Sequence, residues 1–161
     1  MKRAFIVGVM GGGSAPEKDL RAARRLGRLI ASQGWVLLNG GRNAGIMEAS
    51  ARGACEAGGV TLGILPDASD HQVSEYIQIP VLTGMGSARN SINVLSSHVV
   101  VACPGGTGTL SEIALALKAG RPVILMGFDA ERIFDAHAKA GQLHYAETPE
   151  DAIERIKALY P

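Results

Sequence analysis

The sequence predicts an α/β fold in which one mainly parallel sheet is doubly wound, with helices on both faces. Three observations carry that expectation. Apolar, β-branched runs alternate with helical patterns from end to end of the 161 residues. The strand runs are apolar throughout rather than at every second residue, as in strands covered on both sides. Glycine clusters follow the first, second and fifth runs, at Gly11-Gly12-Gly13, Gly40-Gly41 and Gly105-Gly106. In such Rossmann-like sheets ligands bind outside the carboxyl ends of the strands, so the three clusters converge on one edge. Residues 1–161 show no linker or repeat and are read as a single ligand-binding domain.

"AFIVGVM" is the first strand. Ser14 and Glu17 then have capping-box spacing, with Pro16 in the first turn, where its missing N–H is harmless. The following helix puts Leu20, Ala23, Gly27 and Ile30 on one face and a solvated stripe of Arg21, Arg25 and Arg28 on the other, with Glu17 in reach of Arg21. "WVLLNGG" is the second strand, "AGIMEASARGACEAGG" a helix closed by Gly58-Gly59, and "VTLGIL" the third strand. Residues 66 to 75 form a loop whose Asp67, Asp70 and Glu75 are read as solvated. "YIQIPVLT" is the fourth strand, and its Pro80 suits an edge. In the short helix "GSARNSINVLSS", Ala88, Ile92 and Leu95 make the buried stripe and Arg89, Asn93 and Ser96 an adjacent polar one, with Asn90 beside it. That polar stripe faces either solvent or a cleft. "HVVVAC" and "RPVILMGF" are the fifth and sixth strands, separated by the helix "TGTLSEIALALKAG". Residues 129–142 read as a mobile helical segment and "LHYA" as a last strand. Thr148-Pro149 opens a final helix with Ile153, Ile156 and Leu159 inward.

Composition narrows the function. Lys and Arg number 16 against 15 Asp and Glu, which leaves no electrostatic footprint for nucleic acid. Cys55 and Cys103 have neither metal nor redox spacing, so a reducing cytoplasm is the expected location. His71, His98, His137 and His144 show no ligand spacing, and no metal is expected. Lys2 and Arg3 precede an apolar run, but it is short and breaks into glycines before a charged helix, so neither a signal peptide nor a membrane span is expected.

The loop "CPGGTGTLSE" joins a strand to a helix, an arrangement that presents backbone N–H groups to an anion. A dinucleotide site would need G-x-G-x-x-G after the first strand and an acid ending the second. Here the first strand ends "GVMGGGSAP" and the second ends in Asn39, Gly40 and Gly41. No Gly-Lys-Ser/Thr occurs either, which excludes a P-loop. A smaller phosphate fits: Gly105, Gly106 and Gly108 permit close approach, Thr107 and Thr109 add hydroxyls, and the helix dipole favours the anion. A tight turn without a ligand is the alternative. Two roles are open to Glu112, since Thr109-Leu110-Ser111-Glu112 has capping-box spacing and the same carboxylate could do chemistry. Glu48 either faces the cleft or lies on a helix surface. Cys103 is either reactive near a helix start or a small buried filler.

Taken together, "PGGTGTLSE", "GMGSARN" and "NGGRNAGIMEA" resemble the superfamily of the Lonely Guy (LOG) phosphoribohydrolases and the molybdenum-cofactor carrier proteins, long labelled lysine decarboxylases. The likeness covers nearly the whole chain. It implies that Arg89 and Glu112 match the functional arginine and glutamate of the LOG enzymes, which cleave the N-glycosidic bond of cytokinin nucleoside 5′-monophosphates, and that the glycine loop holds the 5′-phosphate. Asn90 stands where those enzymes carry lysine, and Ser111 where many carry a second glutamate. The Arg-Asn pair, the short chain and "GIMEA" are closer to the carrier branch. A pyridoxal-dependent decarboxylase is excluded, because none of Lys2, Lys18, Lys118, Lys139 or Lys157 sits in a glycine loop.

The expectation is therefore a cytoplasmic carrier for a phosphorylated heterocycle, either a nucleotide or molybdenum cofactor. Gly105, Gly106, Thr107, Gly108 and Thr109 would cradle the phosphate and Arg89 and Asn90 would meet the anion. Gly11, Gly12, Gly13, Gly40 and Gly41 would line the remaining cleft. The alternative is a 5′-monophosphate phosphoribohydrolase using Glu112 and Arg89 and needing no cofactor. The resemblance also implies a homo-oligomer, dimer or tetramer.

Overall fold

The computed structural model describes residues 3–130 and 133–161. Its strands are β1 (Ile6–Met10), β2 (Val36–Asn39), β3 (Thr61–Leu65), β4 (Ile79–Leu82), β5 (Val99–Ala102), β6 (Val123–Met126) and β7 (Leu143–Ala146). They form one parallel sheet in the order β4-β3-β2-β1-β5-β6-β7. The helices are α1 (Glu17–Ser32), α2 (Gly45–Glu56), α3 (Asn90–Ser96), α4 (Thr107–Lys118), α5 (Asp135–Lys139) and α6 (Pro149–Leu159). Chain order reverses between β1 and β5, which pair in register from Val7↔Val99 to Met10↔Ala102. The loops leaving these two strands must diverge to opposite faces, and a crevice opens between them.

Alternate residues of the central strands feed two apolar layers. On one face Val7, Val9, Val99 and Val101 pack with Ala23, Leu26 and Ile30 of α1, Ile46 and Ala54 of α2, and Ile153 and Ile156 of α6. On the other, Met10, Leu38, Val100 and Ala102 meet Val94 of α3 and Ile113, Ala116 and Leu117 of α4. Helices α1 and α2 touch backbone to backbone: a Cβ on Gly53 would land on the Arg24 carbonyl, and one on Gly27 on the Ser50 carbonyl. Edge strand β4 carries Pro80, and all four of its residues are exposed. At the other end of the chain, Thr148 caps α6 by accepting the Asp151 N–H at 3.1 Å.

Three expectations change. Helix α1 begins at Glu17 with Pro16 as its N-cap residue and no side-chain cap among the described residues, so Ser14 and Glu17 form no capping box. Glu17 instead pairs with Arg21 at 3.3 Å. Asp67 is not merely solvated, because it holds the Arg42 guanidinium at 2.9 Å. Of the segment 129–142, residues 131 and 132 lie outside the described residues, and α5 forms at its end.

The largest change is at α3, whose stripes are inverted except at Ile92, which packs against the core as expected. Asn90, Asn93, Val94 and Ser97 face inward, while Ala88 is exposed and Leu95 is 55% exposed. The preceding 3-10 turn, Gly86–Arg89, sets the helix phase, and the inward polar groups are retained by partners. The Asn93 amide donates to Glu112 at 2.8 Å, and Ser97 Oγ donates to the Asn93 carbonyl at 2.8 Å in the space left by Gly8.

Candidate functional site

Three loops are stitched together at the crevice. The Gly12 N–H donates to the Pro104 carbonyl at 3.0 Å, and the Ile46 N–H donates to the Gly12 carbonyl at 2.9 Å. Gly45 takes the left-handed conformation, with φ +54°, directly beneath Gly12 and Gly13. Asn39 holds the second loop: its Oδ1 accepts the Gly41 N–H at 2.8 Å and its Nδ2 donates to the Met47 carbonyl at 2.9 Å. The result is a cavity of about 270 Å³ lined by Gly11, Gly12, Gly13, Gly40, Arg89, Asn90, Gly106, Thr107, Gly108, Thr109 and Glu112. Val9, Met10 and Met47 supply its apolar wall.

Two residues expected on this wall do not line it. Gly41 packs against Leu65, where a Cβ would meet the Leu65 methyls. Gly105 lies behind the loop, close to Thr109 Oγ1 and the Gly12 nitrogen. Neither position could carry a side chain without displacing its neighbours, so both are glycines for reasons of packing.

Gly106 and Gly108 are different. A Cβ at either would meet nothing within 4 Å among the described residues, and neither has a left-handed φ. Gly108 even lies inside α4, where alanine is the better helix former. Packing supplies no reason for these two glycines, although Gly106 also stands at the N-cap of α4, and the open space beside them is the cavity.

Glu112 is not a cap. Helix α4 starts at Thr107 after Gly106, so Thr109 already lies within the helix and the capping-box spacing is fortuitous. The carboxylate turns into the cleft, where Oε1 accepts from Asn93 Nδ2 at 2.8 Å and lies 3.5 Å from Arg89 Nη1. Burial pushes the Glu112 carboxyl up from its ordinary value, against the opposing pull of Asn93 and Arg89. Burial also pulls the Arg89 guanidinium down, with Glu112 acting the other way. For both groups burial outweighs the opposing pull of the partner charge.

Arg89 spans the floor of the cleft. Its Nη1 donates to Asn90 Oδ1 and faces Glu112, while its Nη2 lies 2.6 Å from where a Cβ on Gly40 would sit. Its Nε is buried without a hydrogen-bond partner among the described residues, as is Asn93 Oδ1. Arg89 thus brings to the cavity a charged donor whose hydrogen-bonding capacity the described residues do not use.

The remaining candidates fall outside the cleft. Glu48 lines a separate cavity with Glu17, Arg21 and Arg24 between α1 and α2. Cys103 is fully buried and its thiol is pushed up to about 12, which makes it packing rather than a nucleophile. Sequence reasoning places Asn93 on the polar stripe without assigning it to the site. Its i+4 spacing from Arg89 is the available signal, since residues at that spacing share a helix face.

Comparison with known proteins places the fold and the family. The structure superposes on the molybdenum cofactor binding protein of Rippkaea orientalis with a TM-score of 0.94 and 50% identity over 100% of both chains. It matches the molybdenum cofactor carrier protein of Chlamydomonas reinhardtii with a TM-score of 0.89 and 46% identity over 98% of both. It is 34% identical over 119 residues to a cytokinin riboside 5′-monophosphate phosphoribohydrolase of Mycobacterium tuberculosis, a match that spans 66% of this chain and 62% of that enzyme. Residues 4–153 match the model of the SLOG cluster4 family. The chain belongs to the SLOG cluster4 family.

Proposed function

We propose that this protein binds and carries a phosphorylated heterocycle, either molybdenum cofactor or a nucleotide, in the crevice between β1 and β5. The observation that carries the reading is the pair Gly106 and Gly108, two glycines at the mouth of α4 that the fold leaves unconstrained and the cavity explains. A phosphate there would meet backbone N–H groups, the Thr107 and Thr109 hydroxyls and the positive end of the helix dipole. The unpaired Arg89 Nε supplies a charged donor from the floor. Similarity to proteins that bind molybdenum cofactor supports the ligand class.

The hydrolase reading draws on one observation, the buried Glu112 beside Arg89. Glycosidic cleavage also needs a group to protonate the departing base. Glu112 is the one carboxylate that lines the cleft among the described residues, and Glu48 lies in a different cavity. Binding is therefore the better reading. Incubation with AMP and other nucleoside monophosphates, followed by assay for free base and ribose 5-phosphate, separates the two. Saturable binding of molybdenum cofactor without turnover is expected. Turnover abolished by Glu112→Gln would overturn the carrier reading.

Self-association belongs to the same proposal. The inverted α3 exposes Leu95 beside a groove of about 300 Å³ lined by Val94, Leu115 and Ala119. A second copy placed about a two-fold axis would seat its Leu95 in this groove and offer its own groove in return. Sedimentation should show a dimer or tetramer that Leu95→Glu dissociates. Both cysteines are free thiols, in keeping with a cytoplasmic location.

A further inference from the structure

Arg89 sits at the end of an awkward support. The segment that carries it, residues 84–88, is exposed along its length, and Gly84 and Gly86 both adopt left-handed φ, +62° and +56°. Nothing in that segment's own packing explains how a long guanidinium side chain is held against the cleft floor. The hydrogen bonds do. Arg89 Nη1 donates to Asn90 Oδ1, Asn90 Nδ2 donates to Ser111 Oγ at 2.9 Å, and Ser111 Oγ donates to the Gly108 carbonyl at 2.6 Å. Every donor in this chain points the same way, so each bond polarises the next. Asn90 spends its oxygen on one neighbour and its nitrogen on the other, and Ser111 spends its hydroxyl proton on the Gly108 carbonyl in the first turn of its own helix, beside the proposed phosphate.

We infer that Asn90 and Ser111 are a positioning pair that locks the Arg89 guanidinium to the first turn of α4, so that helix mouth and arginine engage a phosphate as one unit. The inference rests on the phosphate-binding reading of the cleft and adds how that cleft is held ready. Because both members are uncharged, the pair steers Arg89 without competing for the anion or adding a second cation. It also leaves Arg89 Nε without a partner among the described residues, a charged donor still available to a phosphate oxygen. Preorganisation of this kind raises affinity by removing an ordering cost rather than by adding a contact.

The test is a double-mutant cycle read with AMP and with inorganic phosphate by titration calorimetry. Ser111→Ala should weaken both probes by about five- to tenfold, the value of one hydrogen-bonded link. Ser111→Thr, which keeps the hydroxyl, should restore affinity. In an Arg89→Ala background, Ser111→Ala should have no further effect. An equal loss in both backgrounds would show that Ser111 acts on the loop directly and would overturn the inference. A second measurement needs no ligand. Amide hydrogen exchange across residues 86–90 should quicken in Ser111→Ala and return to the native rate in Ser111→Thr, and unchanged exchange would also overturn it. If the unmodified protein binds neither probe, the phosphate reading falls, and hydrogen exchange still decides whether the pair holds Arg89 in place.

Discussion

Glycine serves opposite purposes in two regions of this molecule. Along the α1–α2 seam, Gly27 and Gly53 are glycines because protein is already where their side chains would be. At the mouth of α4, Gly106 and Gly108 are glycines although nothing is there. The first pair belongs to the energetics of folding, because a Cβ would separate helices that share a buried layer. The second pair is required by no packing contact among the described residues, and on the proposed reading its reason lies in what enters the cleft. A glycine is a functional signal only when the surrounding structure has been shown not to need it.

Substitutions can break or sharpen this contrast. The largest effect is expected at the seam: Gly53→Val should lower unfolding free energy by about 3 kcal/mol or more, by overpacking against rigid backbone. Thermal denaturation measures it, and a melting temperature within a degree or two of the native value would break the comparison. At the cleft, Gly106→Val should leave stability within about 1 kcal/mol yet reduce AMP or phosphate affinity about 100-fold, some 2.7 kcal/mol. Calorimetry and denaturation on the same sample separate the two quantities.

Gly108→Ala sharpens the contrast further because the two effects should have opposite signs. Stability should rise by about 0.5–1 kcal/mol, since Gly108 lies within α4. Affinity should fall, since the new methyl group enters the ligand's space. A variant that gains both, or loses both, would put Gly108 with the seam glycines.

The smallest effect is electrostatic. Glu112 has its proton affinity raised by burial, so the folded state keeps a proton that the unfolded chain has released. Its contribution to stability is full below the ordinary glutamate value of 4.5 and is lost as pH rises through the elevated folded value. Measured against Glu112→Gln, the native protein should therefore become relatively less stable as pH climbs above that range. A constant difference across the pH series would mean that Arg89 and Asn93 fully offset the burial.

The sheet was legible because seven apolar runs, each too short for a helix and each followed by a turn signal, admit few arrangements. Pro80 marked the edge and the glycine clusters marked the ligand side, since both are properties of single positions. What stayed hidden depends on partners distant in sequence. The heptapeptide that became α3 has an apolar stripe, but burial went to Asn93 because its amide meets Glu112, 19 residues further on. Thr109 and Glu112 have capping-box spacing, but the helix opens two residues earlier, at Thr107. Spacing alone did not separate Gly105 from Gly106, though one is fixed by Thr109 and the other faces open space. The departures at Asn90 and Ser111 looked independent in sequence, and the fold joins them through one hydrogen bond.

Strand β4 limits how the molecule can grow. It is the outermost strand on its side, with Ile79, Val81 and Leu82 all at least 40% exposed, and would otherwise offer a template for another chain's strand. Pro80 breaks its row of amide donors, and the chain leaves the strand through the left-handed Gly84. Polymerisation by strand addition is thereby discouraged, as in proteins that keep an open sheet from seeding fibrils. The proposed self-association through α3 would instead be closed, limiting the number of copies to a finite ring or pair.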